Sequence, residues 1–305
     1  MKHIATFVGL AALATSAQAQ FLTGITKPVF GVNPPNAFLT DLNAGTNTLL
    51  YDIESLGIPA TAPGWGGLAG DDANRRFFAS VRNGPTDDIY QFNYSDPTAP
   101  IFVTRTQSEA GGNFAIDGLA FDSRRGVMYG SNALGTSGNA EGLHTIDLTT
   151  GVLTTVVDFA TLPGGISGYN VTGIDYDADT DLVYLVDEQL AGGRWIYTFD
   201  PKNPSAGLAE LALLPDGVTD IDGLGAGGGQ LFLVTDNASA NGGNHYVYDL
   251  ATGTYSTFAS PYPAPAGSPI APNPSGAGAY VPGLIPAPGT LLVLAGMAPF
   301  MRRRR

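Results

Sequence analysis

The chain has 305 residues, with 14 Lys and Arg against 27 Asp and Glu, a formal net charge of −13 and no cysteine. So acidic a surface repels phosphate backbones and speaks against nucleic acid as a partner. The missing thiols exclude disulfide staples and thiolate chemistry, so burial and backbone pairing must hold the fold. Only 13% of residues are charged and 41 are glycine, a balance typical of an all-β exported body rather than a helical cytoplasmic enzyme.

At the N-terminus, Lys2 and His3 precede the apolar stretch from Ile4 to Ala14, and Ala17-Gln18-Ala19 supplies the small-x-small pattern of a signal-peptidase site. The segment 1–19 therefore reads as a secretory signal, with the mature chain starting near Gln20. Lys2 and four arginines at the far terminus lie outside the passenger, which keeps nine bases against all 27 acids and a net charge of −18.

From there a unit of about 50 residues recurs. Copies open on Gly67-Leu68, Gly118-Leu119, Gly173-Ile174 and Gly223-Leu224; an aromatic stands eleven residues after the first three glycines (Phe78, Tyr129, Tyr184), and Phe232 comes nine after the fourth. Each unit then passes through an alternating strand into an acidic turn, as in Asp41-Leu-Asn-Ala-Gly45, Asp147-Leu-Thr-Thr-Gly151 and Asp249-Leu-Ala-Thr-Gly253, with Asp96-Pro97 and Asp200-Pro201 in the same place. Asp at the start of a tight turn accepts from backbone amides two residues on, and Gly tolerates positive φ. Four short strands per repeat are the pattern of propeller blades, since one blade cannot bury both faces alone. Five units fall at about 28–60, 64–108, 115–160, 170–215 and 220–260. The first lacks a clear opening strand: either Leu22-Thr-Gly-Ile25 supplies it or a late segment near Tyr280 closes the ring. A two-sheet sandwich is the rival architecture, but it does not require this regular spacing.

Three residue sets are candidates for function. Asp117, Thr172 and Asp222 precede the unit glycines and would face a central channel, or else cap their own strands. Asn33, Asn132, Asp187, Glu188 and Asp236 follow the aromatic strand, at a rim where ligands dock on propellers. The run Asp175, Asp177, Asp179, Asp181 suggests a calcium loop, but Thr180 stands where such a loop needs Gly and Val186 where it needs Glu. Sister turns at Asp71-Asp72 and Asp122-Ser123 make turn capping the better explanation, so no cofactor is expected. His144 and His245 lie in strand contexts, and no nucleophile elbow, HExxH helix or phosphate loop occurs.

The stretch 263–283, rich in Pro, Ala, Gly and Ser, reads as a linker after a propeller domain at 20–262. The chain then closes on Ile285-Pro286-Ala287-Pro288, an uncharged run to Met301, and Arg302, Arg303, Arg304 and Arg305. Clustered arginines after an apolar run stay on the cytoplasmic side of a membrane, and the run is shorter than the roughly 20 residues of a permanent span. This tail, 284–305, resembles the PEP-CTERM sorting signal of bacterial proteins handled by exosortases, with Ala287 where that motif usually carries glutamate. The resemblance implies an exosortase-type processing enzyme as partner, membrane contact through the tail before cleavage, and a destination at the cell surface or in the extracellular matrix among exopolysaccharides. The expectation is thus an all-β, roughly five-bladed β-propeller that binds a glycan or surface protein; a secreted hydrolase or lyase using channel-facing carboxylates is the rival from another class.

Overall fold

Alternating β-branched and aromatic residues between Asp- and Gly-punctuated turns favour short antiparallel strands, and the computed structural model contains almost nothing else. It describes residues 20–26, 36–41, 46–52, 65–132, 141–162, 171–187, 194–216, 218, 221–235, 244–259 and 275–282, the first three stretches and the last essentially in backbone alone. Strands β1 (Gln20–Thr26), β2 (Asn36–Asp41) and β3 (Thr46–Asp52) come first. The next unit holds β4 (Trp65–Asp71), β5 (Arg76–Asn83), β6 (Thr86–Asn93) and β7 (Asp96–Arg105). After the two-residue β8 (Gln107–Ser108) come β9 (Gly118–Asp122), β10 (Val127–Asn132), β11 (Gly142–Ile146) and β12 (Val152–Asp158). A fourth group comprises β13 (Val171–Asp177), β14 (Leu182–Asp187), β15 (Trp195–Phe199) and β16 (Leu208–Leu213). Then follow β17 (Ile221–Gly227), β18 (Gln230–Thr235), β19 (Asn244–Asp249), β20 (Thr254–Ala259) and, at the end, β21 (Ser275–Pro282).

Each unit folds into its own sheet of antiparallel neighbours, in the orders β4-β5-β6-β7, β9-β10-β11-β12, β13-β14-β15-β16 and β17-β18-β19-β20, and β8 joins the second of these as a fifth strand, parallel to β12. These are the blades of a β-propeller, and four of them are described down to their side chains, against the five units read from the sequence. The remaining sheet has the order β21-β1-β2-β3 and is given by its backbone pairing, Gln20 opposite Pro282 and Ile25 opposite Gly276. Leu22-Thr-Gly-Ile25 therefore lies in the second strand of its sheet, and the late segment around Tyr280 takes the first place. The linker expected over 263–283 is corrected accordingly: its last part, Ser275–Pro282, is a paired strand.

The first strand of each sheet lines the axis. β4 packs on β9, β9 on β13, β13 on β17, and β21 lies between β17 and β4. The repeated glycines explain how these strands come so close. A Cβ placed on Gly67 would sit 2.0 Å from the Leu119 amide nitrogen, one on Gly118 3.0 Å from the Thr172 carbonyl oxygen, and one on Gly173 2.9 Å from the carbonyl carbon of Gly223. The backbone of one blade thus rests on the backbone of the next, which any side chain would prevent.

Away from the axis the core consists of slabs between neighbouring blades. Ala120, Tyr129, Leu143 and Val157 of one blade pack on Ile174, Tyr176, Leu185 and Phe199 of the next; Tyr184, Val186 and Ile196 likewise meet Leu224, Leu231 and Leu233. The repeated aromatic belongs to these slabs, Phe78 lying 5.1 Å from Phe121 and Tyr129 meeting Phe199 edge-on at 5.7 Å between ring centroids. Between blades, Ser131 Oγ donates to the Val171 carbonyl at 2.8 Å, and the Ala226 amide donates to Asp175 at 2.8 Å. Such buried bonds contribute about 1 kcal/mol each.

The axial contacts make a direct prediction. Gly67→Ala and Gly173→Ala each lose about 2–4 kcal/mol, because backbone rather than a flexible side chain must move. Gly84→Ala, at a left-handed turn position with nothing within 4 Å of the added carbon, costs about 1–2 kcal/mol through its φ alone. Chemical denaturation of the three variants gives this ranking; equal losses would contradict the close approach at the axis.

Candidate functional site

Three of the first strands, β4, β9 and β13, end in turns built around an aspartate, while β17 ends in the turn Gly228-Gly229. Asp71 accepts from the Asn74 amide at 3.3 Å, Asp122 from the amides of Arg124 and Arg125 at 3.0 Å each, and Asp177 from those of Asp179 and Thr180 at 3.0 and 3.3 Å. The outer turns use the same device: Asp147 accepts from Thr149 and Thr150, and Asp249 from Ala251 and Thr252. These amides hold both carboxyls below the usual carboxylate range, while Gly151 and Gly253 close the turns at φ 76° and 66°. The acidic run at 175–181 is therefore engaged in capping and ion pairs. Among the described residues no group of three or more His, Cys, Asp or Glu is placed to hold a metal.

The same inner turns surround a pocket at one end of the axis, of about 230 Å³, lined by Gly70, Asp72, Ser123, Asp175 to Asp179 and Ala226 to Gly228. Its walls come from four blades, and no base stands among them. Burial, reinforced by the neighbouring Asp71 charge, pushes Asp72 up to about 7, although the Tyr94 hydroxyl donating to it at 3.1 Å acts the other way. Burial likewise raises the Tyr94 phenol. Near neutral pH the pocket therefore offers a carboxyl able to donate, beside carboxylates and backbone groups able to accept.

The bases are engaged elsewhere. Arg125 makes two bonds to Asp181 of the next blade, at 2.7 and 3.0 Å, and Lys202 reaches the same carboxylate at 2.7 Å. These partners, Arg125 foremost, hold Asp181 far below the usual carboxylate range. Arg82 bridges the buried Asp87 and Asp117, both at 3.1 Å, and donates to the Ile116 carbonyl. Arg76 pairs with Asp71, Arg105 with Asp88, Arg124 with the Ala178 carbonyl, and Arg194 with the Pro215 carbonyl. Arg75 stands over the Tyr94 ring. Among the described residues every base thus has a partner inside the protein.

Of the candidates read from the sequence, Asp175, Asp177 and Asp179 line the pocket itself, while the described members of the other two sets lie at the opposite end of the axis. Asp117 is tied to Arg82 of the preceding blade, Thr172 donates to the Ile221 carbonyl of the following one, and Asp222 is half-buried at the start of the last inner strand. Asn132 is fully buried, its Oδ1 accepting from the Gly142 amide and from His144 Nε2, both at 2.8 Å. Asp187 is also buried, opposite Val171 in the ladder. Asn33, Glu188 and Asp236 fall outside the described residues, as do the signal and the sorting motif. Burial lowers both His144 and His245 to about 4, so both are neutral at ordinary pH and hold strands together. Sequence reasoning singled out Asp175, Asp177 and Asp179 but read them as turn caps, and it did not see that they share a pocket with Asp72 and Ser123.

No family model matches the chain, and no curated protein matches it. Solved structures do resemble it. TolB from Acinetobacter baumannii superposes with a TM-score of 0.50 at 13% identity, covering 79% of this chain and 53% of that one, so this chain spans about half the length of TolB. A nidogen/laminin complex gives 0.51 at 13% identity, over 86% of this chain and 98% of that one. At such identities these likenesses speak for the fold alone.

Asp72 provides a test of the pocket's electrostatics. Its folded value lies above the unfolded one, so the folded state holds the proton more tightly and stability falls as pH rises from about 4 to 7. Asp72→Asn cannot ionise. Relative to the native chain it becomes more stable between pH 5 and pH 8 by roughly 1–3 kcal/mol, allowing for partial solvent screening. Thermal melts of the two proteins across that range measure the change; parallel pH profiles would contradict the burial of this carboxyl.

Proposed function

We propose that this chain is an exported β-propeller binding module of the cell surface or extracellular matrix, and that the axial pocket receives a neutral, hydroxyl-rich glycan unit. The observation that carries the ligand class is the division of charge: acids and backbone groups line the pocket, while every described base is engaged inside the fold. At the pocket an anionic polymer would meet acids and, of the bases, only Arg124 at the rim, already tied to the Ala178 carbonyl and to Asp181, whereas sugar hydroxyls can both donate to carboxyl oxygens and accept from a protonated Asp72. The pocket is smaller than the 300–1,000 Å³ common for drug-sized ligands, which suits a terminal sugar or a short reach into a chain.

Export is supported by the basic start, the apolar core and the Ala17-Gln18-Ala19 site. The PEP-CTERM-like tail supports handling by an exosortase-type enzyme and transient membrane contact. We also read the sheet β21-β1-β2-β3 as a fifth blade: its first strand sits between β17 and β4, the place that a closing blade fills.

A second reading, a secreted glycan hydrolase or lyase, is favoured by one observation. Asp72, raised to about 7, shares the pocket with the carboxyls of Asp175 and Asp177, and a carboxyl of raised pKa beside others is an arrangement on which such chemistry draws. Release of reducing ends or unsaturated products from a retained polysaccharide would decide for it.

The binding reading predicts that the mature protein is retained on immobilised neutral matrix polysaccharide and less so on a uronate-rich one. Ser123→Trp, which fills the mouth, weakens that retention at least about tenfold, equivalent to 1.4 kcal/mol, with the melting temperature unchanged. Equal retention of the variant, or indifference to every neutral glycan tried, overturns it.

A further inference from the structure

The axial pocket is rich in groups that accept hydrogen bonds and short of groups that give them. Both oxygens of Asp175 accept backbone amides, from Tyr176 at 2.9 Å and from Ala226 at 2.8 Å. Both oxygens of Asp177 are taken in the same way, by the amides of Asp179 and Thr180 and by the Thr180 hydroxyl. Of the hydroxyls in the lining, that of Tyr176 is spent on Asp181 at 2.8 Å, which leaves Ser123. Asp72 differs from the other carboxyls. Among the described residues it accepts one bond, at Oδ1 from the Tyr94 hydroxyl at 3.1 Å, and Oδ2 is left to carry a proton. Tyr94 stands on the turn between β6 and β7, its ring 6.2 Å from that of Phe77 and Arg75 5.9 Å from its centre, so the hydroxyl is held against this carboxyl.

We propose that Asp72, in its protonated form, gives the pocket its hydrogen bond to a ligand oxygen, and that Tyr94 is its positioning residue, so that acid favours the bound glycan and alkali releases it. This rests on the reading of the pocket as a glycan site. The groups that face Asp72 are Asp71 and Arg75 beside it in sequence, Tyr94 from the β6–β7 turn, and Asp175 and Asp177 of β13 across the pocket. β17 brings Ala226 to Gly228 and the turn after β9 brings Ser123, none of them charged. The nearby bases Arg76 and Arg124 are turned to Asp71 and to the Ala178 carbonyl. Burial and the Asp71 charge raise Asp72 to about 7, against the pull of Tyr94 and Arg75. Burial also raises the Tyr94 phenol, which therefore remains a donor to Oδ1 while Oδ2 gains or loses its proton. In acid the pocket thus holds a donor for an oxygen that can only accept, such as a ring or glycosidic oxygen. In alkali the same carboxyl is one more acceptor, and such an oxygen meets a carboxylate. Apparent affinity follows the protonated fraction, level in acid and falling about tenfold for each pH unit in alkali.

The test is retention of the full mature chain on columns of uncharged polysaccharide, namely dextran, starch and galactomannan, between pH 5 and pH 9. With Asp72 at about 7, affinity is expected to fall roughly thirtyfold from pH 5.5 to pH 8.5. Asp72→Asn puts an amide donor where Oδ2 stands and cannot ionise, so its profile is level across the range. Tyr94→Phe removes a bond that favours the ionised form, so its fall begins at higher pH than that of the native chain; a merely structural tyrosine would weaken retention without moving the midpoint. Native chain retained equally at every pH overturns the proton dependence and leaves the glycan reading standing. A fall that Asp72→Asn shares belongs to another group and overturns the proposal, and an unmoved midpoint in Tyr94→Phe overturns the positioning role. Retention on none of the columns at any pH overturns the glycan reading, and the proposal with it.

Discussion

At the axis of this protein the peptide backbones of neighbouring blades come so close that a single methyl group does not fit between them. The Leu119 amide lies where a Cβ on Gly67 would be, and the Gly223 carbonyl carbon where one on Gly173 would be. Everything further out follows from this approach. Inner strands in backbone contact bring the sheets to an angle at which their faces meet as apolar slabs, which Phe78, Tyr129 and Tyr184 fill from equivalent places in their blades. They also gather the turns after β4, β9, β13 and β17 around one small mouth. A core made of slabs between like units is stable only when each unit has neighbours, so stability and the functional pocket share one cause.

The charge distribution continues the same logic. A fold without disulfides ties its blades with the few bases it has: Arg82 joins one pair of blades through Asp87, Asp117 and the Ile116 carbonyl, and Arg125 joins the next through Asp181. These pairs are largely buried, and removal of one partner would leave a charge with no solvent to compensate it. Their engagement leaves the outside of the protein dominated by acids. That surface discourages polyanions.

Much of the architecture was legible in the sequence because the same local requirement recurs in every blade. The unit glycines, the aromatic on the second strand and the Asp-x-x-x-Gly turns each solve one steric or hydrogen-bonding problem, so they repeat at regular spacing and reveal the blades. The inner strand β21 was legible only as one of two alternatives, a late segment near Tyr280 closing the ring, and most of it read instead as linker. Ser275-Gly-Ala-Gly-Ala279 is a run of small residues, which beside prolines looks like a linker until its partner Gln20–Thr26 is known, some 250 residues earlier in the chain. The pocket escaped notice because each of its pieces had a sufficient local explanation. Asp177 caps its turn, as Asp71 does, and only the ring places Asp72, Ser123 and Asp175 together. The rim residues singled out instead, Asn132 and Asp187, occupy buried places that strand ends provide, a fact that residue type alone does not disclose.

The claim on which the rest depends is that the inner strands form a closed circle, with β21 as the piece that completes it. Thermal unfolding of residues 20–274 beside residues 20–282 tests this directly, since the two differ only in that strand. The account predicts that the longer chain melts in one cooperative transition and that the shorter one loses this transition or melts far lower, because β1, β4 and β17 are left with an open face at the axis. Identical melting of the two would contradict it.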